Sequence, residues 1–123
     1  MNKNIVALFV LTSAIFASDW TSYKDAMELQ KKNAKPIMVE ITSSHCGYCQ
    51  KMDRAVFENK DMRKWLEDRF ILVKLDSRND NVPSMLDYDV TPTFFFIKSG
   101  KVIKKIPSSW NIEDFKSLTK DIK

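Results

Sequence analysis

Apolar positions change period along this chain, and the changes mark out its elements. Tyr23, Ala26 and Met27, with Gln30 at the same spacing, predict a helix to about Lys32, capped by Asp19 or Thr21. Asn33-Ala34-Lys35-Pro36 ends it, since proline disfavours helix in the residue before it. Pro36 to Thr42 then reads as a strand, with Ile37, Val39 and Ile41 on one face and Met38 on the other, as in a strand covered on both sides. Glu40 is the polar exception on the second face. The run Gln50 to Phe57 is compatible with helix. Asn59 is placed to cap another over about Lys60 to Glu67, with Met62, Trp65 and Leu66 inward.

Phe70 to Leu75 is a second apolar strand closed by Asp76, and the polar stretch Ser77 to Asn81 is a loop. Pro83 to Tyr88 predicts a short helix with proline in its first turn. In Val90-Thr91-Pro92-Thr93-Phe94-Phe95-Phe96-Ile97 the proline cannot donate a ladder hydrogen bond, so it marks where the third strand begins. Ser99-Gly100 is a hairpin turn into Lys101–Ile106, whose lysines suit a sheet edge. Asn111 caps a closing helix with Asp114 as a capping-box-like partner, and Ile112, Phe115, Leu118, Thr119 and Ile122 share its inner face. The order is helix, strand, helix, strand, helix, hairpin, helix, an α/β arrangement without internal repeats.

Ahead of these elements, Lys3 precedes an apolar run from Ile5 to Ala17, shorter than the roughly 20 residues of a membrane span. Small residues at Ala17 and Ser18 follow, although Ile15 is an untypical residue at the −3 position of a cleavage site. Residues 1–17 read as an export signal, with an uncleaved N-terminal anchor as the alternative, and residues 18–123 as one domain. A lipoprotein anchor is not indicated, because no cysteine follows the run. Export by so short a signal points to a bacterial periplasm. The 20 basic and 16 acidic residues are interspersed, so the net charge of +4 describes a solvated mixed surface and does not call for nucleic acid.

The chain holds two cysteines, Cys46 and Cys49, in His45-Cys46-Gly47-Tyr48-Cys49, where the first strand gives way to helix. Unpaired N–H groups and the helix macrodipole stabilise a thiolate at such a place, which makes Cys46 nucleophilic near neutral pH. Cys49, one turn on, is placed to attack a mixed disulfide on Cys46. A purely structural bridge would close too small a loop to constrain the unfolded chain much. Zinc would need about four ligands, and beyond the two cysteines there is only His45, so no metal is expected. Thiol–disulfide exchange is the reading that remains. Glu40, in a central strand below that turn, has two readings: a buried carboxylate of raised pKa that accepts the Cys49 proton, or a carboxylate paired with a lysine such as Lys74.

With Lys35-Pro36, Glu40, Cys46-Gly47-Tyr48-Cys49, Lys51-Met52, Val56-Phe57 and Thr91-Pro92-Thr93 in this order, the chain resembles the thioredoxin superfamily. More narrowly it is similar to exported single-domain thioredoxin-like proteins related to the C-terminal domain of the electron transporter DsbD. The resemblance implies a thioredoxin fold, with a central four-stranded mixed sheet flanked by helices on both faces. It implies Cys46 as exposed nucleophile, Cys49 as buried resolving thiol, and Glu40 at the position of the family's buried acid. It also implies a cis Pro92, with Thr91 offering backbone groups to a bound peptide. His45 stands where thioredoxins often carry tryptophan, either tuning Cys46 or simply solvated.

Two departures from the family pattern bear on function. The glycine that often follows the hairpin is replaced by Pro107-Ser108-Ser109-Trp110, and Gly47-Tyr48 with Thr91 is similar to the isomerases DsbC and DsbG. The expectation is a periplasmic thiol–disulfide reductase acting on disulfide-bearing exported proteins. It would be a monomer recharged by a DsbD-type membrane transporter, since no flavin or nicotinamide motif is present and no cofactor is expected. A disulfide isomerase or oxidase is one alternative, and a module holding clients such as apocytochrome c is another.

Overall fold

The structure, a computed structural model, describes residues 20–123; the segment assigned to export lies outside the described residues. Helix α1 (Tyr23–Lys32) leads into β1 (Ile37–Thr42), α2 (Gly47–Met52) with a π-helical turn over Asp53–Phe57, and α3 (Lys60–Arg69). Strands β2 (Ile71–Asp76), β3 (Thr93–Lys98) and β4 (Lys101–Pro107) and helix α4 (Ile112–Thr119) complete it. The four strands form one sheet in the order β2-β1-β3-β4. β1 runs parallel to β2 and antiparallel to β3, and β3 and β4 are an antiparallel hairpin. This is the mixed four-stranded sheet of the thioredoxin fold.

The period-two pattern of β1 sorts side chains onto two faces. Ile37, Val39 and Ile41 join Ile71, Val73, Leu75, Phe95 and Ile97 in a core covered by Ala26 of α1 and by Leu86. Met38 joins Phe94 and Phe96 in a second core, closed by Met52, Val56 and Phe57 of the α2 segment, Leu66 of α3 and Phe115 of α4. Aromatic contacts run through this second layer. Phe94 lies 4.8 Å from Phe115 and Phe70 lies 5.1 Å from Phe96, centroid to centroid. Helices therefore cover both faces.

Local caps follow the side chains that can make them. Asn59 and Asn111 accept from the N–H groups of Met62 and Asp114, as expected. The Asp114 carboxylate turns instead to Ser109 Oγ at 2.8 Å and does not close a reciprocal box. α1 is capped by Ser22, not by Asp19 or Thr21, because the Ser22 side chain reaches the N–H of Asp25. Ser99 and Gly100 both have positive φ, 51° and 73°, the backbone a two-residue hairpin needs.

Three further expectations are corrected. The active-site helix starts at Gly47, three residues before Gln50, since Cys46 serves as its cap. Phe70 closes α3, donating its N–H to Leu66, and is not in β2. Pro83–Tyr88 is not a helix: a single turn bond, Leu86 N–H to Pro83 O at 2.9 Å, holds it, and only Leu86 is buried. One anchoring side chain supplies too little burial to offset the cost of a helix nucleus.

Candidate active site

β1 delivers the chain to the top of the sheet at Thr42, and the turn through Ser43–His45 brings Cys46 to the start of α2. Cys46 has extended backbone, and its Sγ accepts from the Cys49 N–H at 3.1 Å. The same N–H that meets sulfur here would stabilise a Cys46 thiolate in the reduced protein, beside the positive end of the helix. The two cysteines form a disulfide with Cα atoms 5.2 Å apart. Their environments differ sharply. Cys46 is half-buried at the surface, whereas Cys49 is only 2% exposed.

The loop before β3 comes up to meet Cys46. The Thr91–Pro92 peptide is cis, Pro92 is buried, and Thr91 O lies 3.2 Å from Cys46 Sγ. Ser108, just past β4, donates its N–H to Pro92 O at 2.9 Å and adopts φ 75°, a left-handed backbone that favours glycine. Three loops thus converge on one sulfur. Around it His45, Gly47, Tyr48, Val90, Thr91 and Trp110 line a groove of about 560 Å³. A Cβ added at Gly47 would meet nothing within 4 Å, so the approach beside Cys46 is open. His45 is exposed at the rim of the same groove, next to Cys46, a position that fits either of its two readings.

Glu40 lies beneath this surface on the β1 face that packs against the α2 segment. Register puts it beside Lys74 on β2 and Phe94 on β3. It is fully buried, and neither carboxylate oxygen has a hydrogen-bond donor. Lys74 Nζ lies 3.7 Å from Glu40 Oε2, close enough to act as a counter-charge but too far for a hydrogen bond. The ammonium sits closer to Asp53, at 2.9 Å, and 4.6 Å from the Trp20 ring centroid. Burial pushes the Glu40 pKa up from 4.5 to about 8; Lys74 opposes the rise and Asp53 adds to it. Both readings of Glu40 meet in one arrangement, a buried carboxyl of raised pKa that also has Lys74 as neighbour.

Sequence reasoning named the cysteines, Glu40 and Thr91-Pro92, and the structure brings Cys46, Cys49 and Thr91 together. It did not name Asp53, which the π-helical turn sets against Lys74, nor Val90 as part of the groove wall. Trp110 was noted only as filling a departed glycine position. It stands with its ring centroid 6.0 Å from that of Tyr48, and both rings are more than half exposed. Among the described residues no group of His, Cys, Asp and Glu is arranged to hold a metal ion.

A four-stranded mixed sheet with a Cys-x-x-Cys pair capping a helix, set against a cis-proline loop, defines a thioredoxin-type redox site. Residues 19–99 match the thioredoxin-like family, and the chain belongs to that family. It is 28% identical over 87 residues to the thiol:disulfide interchange protein DsbD of Campylobacter jejuni. That match covers 67% of this chain and 15% of that protein, so the chain spans less than a sixth of this relative. Among solved structures, a thioredoxin from Thermus thermophilus matches with TM-score 0.67 and 25% identity, over 84% of this chain and 85% of the other. The oxidised C-terminal domain of DsbD from Neisseria meningitidis shares the fold, with TM-score 0.66 and 14% identity over 85% of this chain and all of that one.

Proposed function

We propose that this protein is a thiol–disulfide oxidoreductase that works as a reductase of exported proteins. The observation that carries the proposal is the asymmetric pair: a surface Cys46 whose sulfur receives an amide N–H, and a buried Cys49 one turn behind it. In the reduced protein the Cys46 thiolate attacks a client disulfide. A Cys46–client bond forms, the client S–S bond breaks, and one client thiolate leaves. Cys49, after losing its proton, attacks Cys46 Sγ, forming the Cys46–Cys49 bond and releasing the second client thiolate. Two electrons pass from the dithiol to the client. Glu40 is the proton acceptor in this scheme, being the buried carboxyl on the face under α2. With a pKa of about 8, about a tenth of Glu40 is ionised at pH 7, and it is this carboxylate that takes the Cys49 proton.

The oxidised pair is recharged by the reverse exchange with an external dithiol. The likeness to DsbD supports a membrane transporter of that type as the donor, and the apolar run at Ile5–Ala17 supports export to a periplasm. The protein acts as a monomer in this reading. Cys46→Ser abolishes exchange, and Cys49→Ser accumulates mixed disulfides that non-reducing electrophoresis of a periplasmic extract displays. If Cys49→Ser captures no partner, the exchange mechanism is wrong.

One observation favours isomerase or oxidase chemistry instead: the Gly47-Tyr48 dipeptide with Thr91 before the proline. Recovery of activity from scrambled ribonuclease supports it, and failure there alongside rapid insulin reduction rejects it.

A further inference from the structure

Beyond the sulfur itself, the surface next to Cys46 has a chemical character of its own. Tyr48, Lys51, Arg54, Ala55 and Trp110 line a second groove, of about 420 Å³, that adjoins the groove around Cys46. The two share Tyr48 and Trp110, whose exposed rings stand side by side between them. Tyr48 and Lys51, one turn apart on α2, and Arg54 of the π-helical turn line the same side of this segment. Ala55, small and half-buried, leaves a shallow floor between them.

The cations in this groove are not neutralised by an ion pair among the described residues. Lys51 lies 5.6 Å from the Tyr48 ring centroid and has no ion pair among the described residues, and Arg54 has none either. Among the described residues no carboxylate lines either groove. Asp114, in the first turn of α4, is turned to Ser109. Elsewhere on the surface some cations are paired, as in Lys31–Glu28, Arg63–Glu67 and Lys64–Asp68. Others, such as Lys24 and Lys60, have no ion pair among the described residues. What distinguishes Lys51 and Arg54 is the two exposed rings beside them. Two open cations beside two open aromatic rings favour a partner that brings carboxylates together with an apolar or aromatic side chain.

We infer that the Tyr48–Trp110 groove is the docking surface for an extended acidic client segment, one that carries an aromatic or apolar residue and a carboxylate close to the cysteine being reduced. The inference rests on the proposed exchange reaction and deepens it by naming the client class. The client's apolar residue lies against the exposed faces of the Tyr48 and Trp110 rings. Its carboxylates face Lys51 and Arg54, and its backbone continues past Thr91 over Cys46.

The test uses the oxidised wild-type protein and three fluorescein-labelled, cysteine-free peptides that share one tryptophan and carry flanking glutamates, glutamines or lysines. Fluorescence anisotropy is expected to show the glutamate peptide binding about 3- to 10-fold tighter than the glutamine peptide at low salt, the lysine peptide weakest, and the preference shrinking at high salt. Lys51→Gln with Arg54→Gln brings the acidic-over-neutral ratio close to one, and Trp110→Ala weakens the glutamate and glutamine peptides alike. All three side chains are solvent-exposed, so the variants keep the fold. Equal affinity for the three peptides, or preference for the lysine peptide, overturns the inference. The reduced protein, given disulfide-bonded versions of the same peptides, separates this claim from the one it rests on. Reduction of all three at one rate overturns the docking surface while exchange stands. Tight binding of the glutamate peptide with no reduction of any disulfide overturns exchange while the docking surface stands.

Discussion

On one side of the sheet Ile37, Val39 and Ile41 meet Ala26, Leu86, Val73 and Phe95, and the polar group buried beside them, the Thr93 hydroxyl, donates to Val90 O. On the other side the same strand offers Met38 and Glu40, and among phenylalanines and methionines the sheet buries one carboxyl with no hydrogen-bond donor. The first face follows the rule that interiors exclude polar groups without partners. The second breaks it at one position, on the face that carries the α2 segment and its cysteines. Lys74, Asp53 and Trp20 gather round the exception, so that the buried acid has a counter-charge without a hydrogen bond. One face supplies stability at any pH, and the other gives up stability to bury an acid, the group that takes the Cys49 proton in the proposed mechanism.

That contrast can be broken by substitution. The largest effect is expected on the apolar face, where Ile37→Ala removes a fully buried side chain and leaves a cavity. It should cost about 2–5 kcal/mol in urea unfolding, nearly the same at pH 5 and pH 8, with the exchange rate of the folded protein little changed. A loss that varied strongly with pH would mean the two faces are not separable in this way.

Glu40→Gln sharpens the comparison. The folded protein holds the Glu40 proton up to about pH 8 whereas the unfolded chain releases it near 4.5, so between those values the folded state binds more protons. The contribution of Glu40 is therefore favourable below about pH 4.5 and is lost as pH rises through the window to 8, by about 1.4 kcal/mol per pH unit at most. Wild-type stability should fall across this window, and Glu40→Gln should flatten the fall, gaining a few kcal/mol on the wild type between pH 5 and pH 8. The same variant should slow resolution of the mixed disulfide about 10- to 100-fold at pH 7 while the first attack by Cys46 is little affected. Parallel stability profiles for the two proteins would show that the carboxyl is not carrying its proton into the fold.

The smallest effect is expected away from both cores. Ser108 holds a left-handed backbone at φ 75° beside Pro92. Ser108→Gly should relieve that strain and stabilise the protein by up to about 1 kcal/mol, less what the freer unfolded chain takes back. A loss measured by thermal unfolding would mean that the serine side chain contributes more than its backbone costs.

Much of this was legible in the sequence where the information is local. Alternating apolar residues in Ile37–Ile41, the run Phe94–Ile97, the asparagine caps at 59 and 111 and the Ser99-Gly100 turn each act over a few residues, and the structure has them there. The cysteine pair was legible because its spacing and its place at a strand end carry the chemistry. Tyr48 and Trp110 were not legible as a pair, since only the convergence of α2 with the loop after β4 makes them neighbours. The Asp53–Lys74 contact was hidden for another reason. It depends on a π-helical turn, which shifts the helical phase at Asp53, and helical periodicity gives no sign of it. Pro83–Tyr88 misled because proline followed by apolar residues fits a helix start, yet only Leu86 finds a place in the core.

The central claim is that Cys46 and Cys49 form a pair poised to reduce, and the reduction potential tests it most directly. Equilibration of the protein with glutathione mixtures at pH 7, followed by alkylation and mass determination, gives the potential of the pair. The account predicts a value near that of thioredoxin, about −270 mV, which would make the protein an electron donor that depends on a reductant. A value between about −180 and −120 mV would contradict it and assign the site to oxidation or isomerisation.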